Sequence, residues 1–219
     1  MNNPYKDFDD YGLRHIPAHL IDLEQWDTLE AFLTDLYFIE AKCAAGMAYN
    51  LIADYTATLD ALPEVQEESR ITRARETRAQ KYIQDLIAYA KGEIKTLNII
   101  PSVEPWSEER LKADIERMKN NPTRLDLIRE FAQFVNAEGH ALVKFGSQPG
   151  FVRQHAYNSA DAGPVADAAE RIVATEWEAG LLLHHASQRP AYNPHPALLR
   201  TLTGHTGAVK SVCVTPDGR

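Results

Sequence analysis

Cysteine is nearly missing. Cys43 and Cys213 are the only two in 219 residues, and neither belongs to a Cys-x-x-Cys pair. That excludes a disulfide framework and a cysteine zinc site; free, buried or half-buried thiols of a reducing compartment are expected instead. A basic excess is missing too. Lys and Arg number 23 against 31 Asp and Glu, a net charge of −8, which argues against nucleic acid as a general partner because phosphate binding needs a basic face. No run approaches the roughly 20 apolar residues of a membrane span. The opening MNNPYKDFDDYG lacks the basic-then-apolar tandem of a secretory signal, so a cytoplasmic location without a membrane partner is expected. Reaction signatures are absent as well: there is no G-x-x-x-x-G-K-[ST] phosphate loop, G-x-S-x-G, H-E-x-x-H or G-x-G-x-x-G. His15 and His19 have the i, i+4 spacing of metal ligands, but Pro17 lies between them where a zincin has its helical glutamate. No cofactor, metal or catalytic residue is expected.

What is present is a globular balance, with 44% hydrophobic and 25% charged residues, and apolar residues recurring at helical spacing. Tyr11, Leu13, Ile16, Leu20, Ile21 and Leu23 open the pattern, with Pro17 interrupting it. Trp26, Leu29, Phe32 and Leu33 continue it. Residues 36–46 read as a short helix stopped by Gly46. Met47, Leu51, Ile52, Tyr55, Leu59 and Leu62 form the next stripe, and residues 64–97 read as one long helix. On that helix Ala79, Ile83, Leu86, Ile87, Ala90, Ile94 and Leu97 share a side, and Arg70, Arg73, Arg78 and Lys81 fall largely opposite. Those four cations are either a basic face for an acidic partner or a solvated face paired with Glu67, Glu68, Glu76 and Asp85. Ser107 and Thr123 are capping hydroxyls for two further helices. Residues 142–150 read as a loop or helix end, Phe151 to Tyr157 as a short turn or helix, and Pro164 suits the first position of a helix over 165–185. Residues 186–197, with Pro190, Pro194 and Pro196, form a stiff connector.

Residues 199–219 change character. Gly204-His205 follows a short apolar-polar run, Val209, Val212, Cys213 and Val214 give a β-strand signal, and Pro216-Asp217-Gly218 is a turn. Together these resemble the opening of a WD-repeat blade, with Gly204, His205, Asp217 and Gly218 at the motif positions. Tyr11 through Leu20, followed by Leu29, Phe32, Leu33, Asp35, Phe38, Ile39, Ala41, Lys42, Gly46, Leu51, Asp54 and Tyr55, resemble the helical arm of apoptotic protease-activating factor-like signal-transduction ATPases of the NB-ARC type. Proteins of that family carry a nucleotide-binding domain, a helical arm and WD-repeat propellers in that order.

The expected fold is therefore all-α, a multi-helix arm with a short β segment at the C-terminus. Residues 1–10 are expected to be flexible, 11–185 to form the arm, 186–198 the proline-rich linker, and 199–219 the first strands of an incomplete blade. A propeller needs several blades, so residues 192–219 are expected to be disordered, to pack loosely on the helices, or to pair with another copy. The resemblance implies a non-enzymatic, apoptosome-like signalling scaffold. Its partners would be a nucleotide-binding switch and a propeller outside this chain, with Tyr11, His19, Leu20, Leu33, Phe38 and Trp177 as packing residues. The alternative is a stand-alone adaptor that takes an acidic protein through Arg70, Arg73, Arg78 and Lys81.

Overall fold

Short polar side chains and left-handed residues decide where each helix begins and ends. In the structure, a computed structural model that describes residues 3–94, 96, 108–175 and 183–194, the Asp9 carboxylate caps α1 (Asp10–Asp22) by accepting from the Gly12 N–H. Helix α2 (Trp26–Leu33) follows, and the Asp35 carboxylate caps α3 (Leu36–Ala44) through the Tyr37 N–H. Gly46, at φ 72°, ends α3 as expected: its N–H reaches the Cys43 carbonyl while the Met47 N–H reaches that of Lys42. Next come α4 (Ala48–Ala61) and α5 (Pro63–Ala90), with Pro63 at the first helical position. Helix α6 (Glu108–Asn120) precedes α7 (Arg124–Ala137), whose Thr123–Asp126 capping box closes in both directions. Helices α8 (Gly139–Phe145), α9 (Phe151–Ser159) and α10 (Pro164–Thr175) complete the body.

The described residues are all-helical and contain no strand; the expected C-terminal β segment lies outside them. No described helix is long and apolar enough to cross a membrane. Several boundaries differ from the sequence expectation. Helix α5 stops at Ala90 rather than running to residue 97, because Gly92 (φ 76°) turns the chain and the Glu93 N–H closes back on the Ala88 carbonyl. Helix α10 does not reach residue 185: residues 183–185 are non-helical. Of the two readings of residues 142–150, loop or helix end, the structure has the helix end over 142–145, the last turn of α8. Pro17 does not interrupt α1. It sits inside the helix, buried, and only the bond its missing N–H would make is forgone. Residues 3–8, expected to be loose, are fastened: the Tyr5 hydroxyl donates to Asp35 Oδ2 at 2.7 Å, Asn3 Nδ2 donates to the Tyr37 carbonyl at 2.8 Å, and the Tyr5 ring packs on Phe8, Phe32 and Phe38.

Glu24 ends α1 in the left-handed region at φ 52°, with its N–H on the Ile21 carbonyl and that of Gln25 on the Leu20 carbonyl. A residue with a Cβ is strained there by about 1–2 kcal/mol, and glycine is not. Glu24→Gly is expected to raise the unfolding free energy by about 0.5–1 kcal/mol after allowing for the freer unfolded chain. The check is a higher urea midpoint at unchanged slope.

Helix α3 is the centre of the body. Leu36, Phe38, Ile39, Glu40, Ala41, Lys42 and Cys43 are all buried, so nearly its whole surface is covered. Around it lie Leu29 and Leu33 from α2, Leu51 and Tyr55 from α4, Ile128, Phe131 and Val135 from α7, and Val152 and Ala156 from α9. Each large apolar side chain buried this way contributes about 1.5–3 kcal/mol relative to exposure. A helix covered all round gains nothing from one rotation over another by apolar burial alone. Two charges on α3 supply that preference. Lys42 is ion-paired with Asp54 of α4, and Glu40 with Arg153 of α9.

Candidate functional site

Two features of the described surface have the character of contact elements: a connector clamped onto the end of the body, and a helix that projects from it.

The connector is residues 183–194. Its principal anchor is Arg189, whose guanidinium donates to the Tyr157 carbonyl at 3.2 Å and the Asp161 carbonyl at 3.0 Å. The same group stacks over the Tyr157 ring at 4.4 Å and stands 3.7 Å from the Glu170 carboxylate. Backbone bonds add to this. The Asp161 N–H donates to the Pro190 carbonyl, the Tyr192 N–H to Asp161 Oδ1, and the His184 N–H to Asn158 Oδ1. The Tyr192 hydroxyl donates to Glu130 Oε1 of α7 at 2.9 Å, and burial beside that carboxylate pushes the phenol well above its usual range. The Tyr192 ring lies over Gly163 so closely that a Cβ there would fall 2.3 Å from it, and Gly163 holds φ 96°, so the position takes only glycine. Between the connector, α7 and α10 a groove of about 400 Å³ remains, lined by Phe134, Val165 and Pro190 among others. The expected looseness from residue 192 onward is thus corrected for residues 192–194, which are held to the body. Gly204, His205, Asp217 and Gly218, and Trp177, lie outside the described residues.

The projecting element is α5. Its first turns are tied to the body: Val65 packs on the core, Arg124 donates to Glu64 at 2.8 Å and to Asp27 of α2 at 2.7 Å, and Arg129 donates to Glu68 at 2.7 Å. None of its 28 residues is buried. Of the four cations singled out from sequence, Arg70 is occupied by Glu67 through two bonds of 2.7 and 2.6 Å. Glu68, which the solvated-face reading paired with the α5 cations, turns to α7 instead. Arg73, Arg78 and Lys81 are exposed and, among the described residues, form no ion pair. At 100° per residue Arg70, Arg73, Arg78 and Lys81 all fall within one arc of about 140°. Arg75, not singled out from sequence, belongs to the same helix.

The packing residues named from sequence divide. Leu33 and Phe38 are fully buried, and Leu20 is half-buried against the core. Tyr11 and His19 are corrected: both are exposed, Tyr11 at 62%, and Tyr11 stacks along α1 on His15, its hydroxyl 3.3 Å from His19 Nε2. The side of α1 carrying Leu13 and Pro17 faces the body instead. Cys43 is a buried free thiol pushed up to about 12 by burial, which makes it unreactive. Sequence reasoning did not mark the buried pairs; the only signal was a lone Glu and a lone Lys inside the apolar run LYFIEAKCA. No protein-family model, curated protein or solved structure matches this chain.

Proposed function

We propose that the chain is a non-enzymatic structural arm that sets the geometry between a nucleotide-binding switch and a WD-repeat sensor, as the resemblance to apoptotic protease-activating factor-like ATPases implies. The observation that supports the reading is the clamped connector. A tether that merely joined two domains would need no contacts; residues 183–194 make hydrogen bonds to α7, α9 and the turn before α10, and stack Arg189 on Tyr157. The segment that leads toward the Gly204-His205 motif is therefore fastened to the body through Arg189 and Tyr192. An arm needs that property, and a soluble bundle with a loose tail does not.

The clamp is tested by hydrogen exchange on Arg189→Ala. The Asp161 and Tyr192 amides, which bond to Pro190 and Asp161, are expected to lose about tenfold or more in protection, while α3 and α4 keep theirs. Wild-type amides that already exchange as freely as an unstructured peptide would overturn the clamp. The arm itself is tested in the gene. A frame continuous with this one and encoding a phosphate loop upstream or further Gly-His/Trp-Asp repeats downstream supports it. A frame closed on both sides refutes it.

A further inference from the structure

We propose that the groove between the connector, α7 and α10 binds a small organic cation, an ammonium or guanidinium carried on an apolar body. The proposal rests on the groove and not on the arm reading. At about 400 Å³ the groove has the size of a small-molecule site, and like most such sites it is walled mainly by apolar groups with a few polar ones among them. Phe134 of α7, Val165 of α10 and Pro190 of the connector supply apolar wall on three sides.

The charge on those walls has one sign. Glu130 of α7 and Glu138 at its C-cap both line the groove, and no Lys, Arg or His is among the described lining residues. At 100° per residue Phe134 falls midway between the two carboxylates, both along the helix and around it. Glu138 has a partner outside the groove, His155, whose Nδ1 stands 3.1 Å away. Glu130 has no such partner. Its Oε1 accepts the Tyr192 hydroxyl, and among the described residues no cation pairs with it. Burial pushes its carboxyl above the usual range, although the Tyr192 hydroxyl draws it down, and Asp126 adds to the rise. A half-buried carboxylate without a counter-charge is unfavourable where it stands, and a ligand cation supplies what is missing while the apolar walls take its body. An anion meets two carboxylates instead, and a purely apolar ligand leaves Glu130 unpaired. A bare metal ion is poorly served, because the described residues hold no cluster of three or more ligating side chains. Since Pro190 and Tyr192 wall the groove, a bound ligand touches body and connector together and holds the clamp closed by mass action.

The test titrates the full chain with probes of one shape and different charge: phenylbutylammonium, phenylbutanol and phenylbutyrate. In amide NMR the ammonium is expected to shift the Gly163, Ala166 and Ala191 signals and to bind about tenfold or more tightly than the alcohol, and the butyrate not to bind. Glu130→Gln removes the charge and keeps an acceptor for the Tyr192 hydroxyl. It should cost the ammonium about tenfold in affinity, leave the alcohol unchanged, and be no less stable than the wild type. With the ammonium at about ten times its dissociation constant, exchange of the Asp161 and Tyr192 amides should slow about tenfold. Any of several results overturns the proposal: equal affinity for ammonium and alcohol; tighter binding of the butyrate; no binding of any probe, as when another part of this chain already fills the groove; full affinity for the ammonium in Glu130→Gln; or binding that leaves the Asp161 and Tyr192 amides exchanging as before.

Discussion

Lys42→Met is expected to lower the unfolding free energy by about 3–5 kcal/mol, a drop in melting temperature on the order of 10 °C for a chain of this size. Lys42 is completely buried and Asp54 nearly so, and they meet in a direct ion pair between α3 and α4. Removing the ammonium leaves a carboxylate in a medium that solvates it poorly, which costs more than the pair itself contributes. Lys42→Met with Asp54→Leu should therefore recover most of the loss, because no charge remains to be desolvated. Full additivity of the two single costs would refute the pairing. The pair also leaves a mark on pH dependence. Burial lifts the Asp54 carboxyl from 3.8 to about 6, even with Lys42's charge drawing it down. The folded value lies above the unfolded one, so the native state holds the extra proton between about pH 4 and 6. Asp54's contribution to stability is fully present below that window and is lost as pH rises through about 6. The carboxyl carbon followed by NMR should titrate near 6, and higher still in Lys42→Met.

Glu40→Leu is expected to cost a similar amount, about 3–5 kcal/mol, for a different geometric reason. Glu40 takes Arg153 through Nε at 2.8 Å and Nη2 at 3.3 Å, and the Gly150 N–H at 3.1 Å as well. One carboxylate thus fixes both the N-cap of α9 and its first turn, and the guanidinium also lies over the Tyr37 ring at 5.1 Å. Chemical denaturation should show Glu40→Leu far less stable than wild type, with Glu40→Leu/Arg153→Met in between, since the Gly150 N–H still lacks its acceptor. A single variant within about 0.5 kcal/mol of wild type would mean that water already solvates this pair.

The helical body was legible where the signal is local. Thr123 and Asp126, Pro164 at the head of α10 and Gly46 behind α3 act through neighbours within a few residues, and the structure has each in the expected place. What failed was local evidence overridden by context. The periodicity of Ile94 and Leu97 extends the α5 pattern, but Gly92 reverses the chain first. Pro17 is a helix breaker in isolation, yet burial against the core outweighs one missing hydrogen bond. The surface features were less legible still. Lys42 and Asp54 are 12 residues apart, Glu40 and Arg153 113, and Arg189 and Tyr157 32; no spacing rule joins such residues, because only the folded packing brings them together. The basic stretch of α5 was visible as charge, but its projection from the body depends on the absence of cover, which composition does not encode.

The fastening of the two outer segments has a mechanical consequence. Tyr5 and Asn3 grip Asp35 and Tyr37 at the head of α3, Glu40 of α3 grips Arg153 of α9, and Tyr157, one turn further along α9, carries Arg189 of the connector. Tension between residue 3 and residue 194 has a short route through these contacts, along two helices and two arginines, with α5 and α6 off the line of load. Helix α5 can then be seized, tilted or released by another molecule without slackening that line, and a pull on the line need not shift α5.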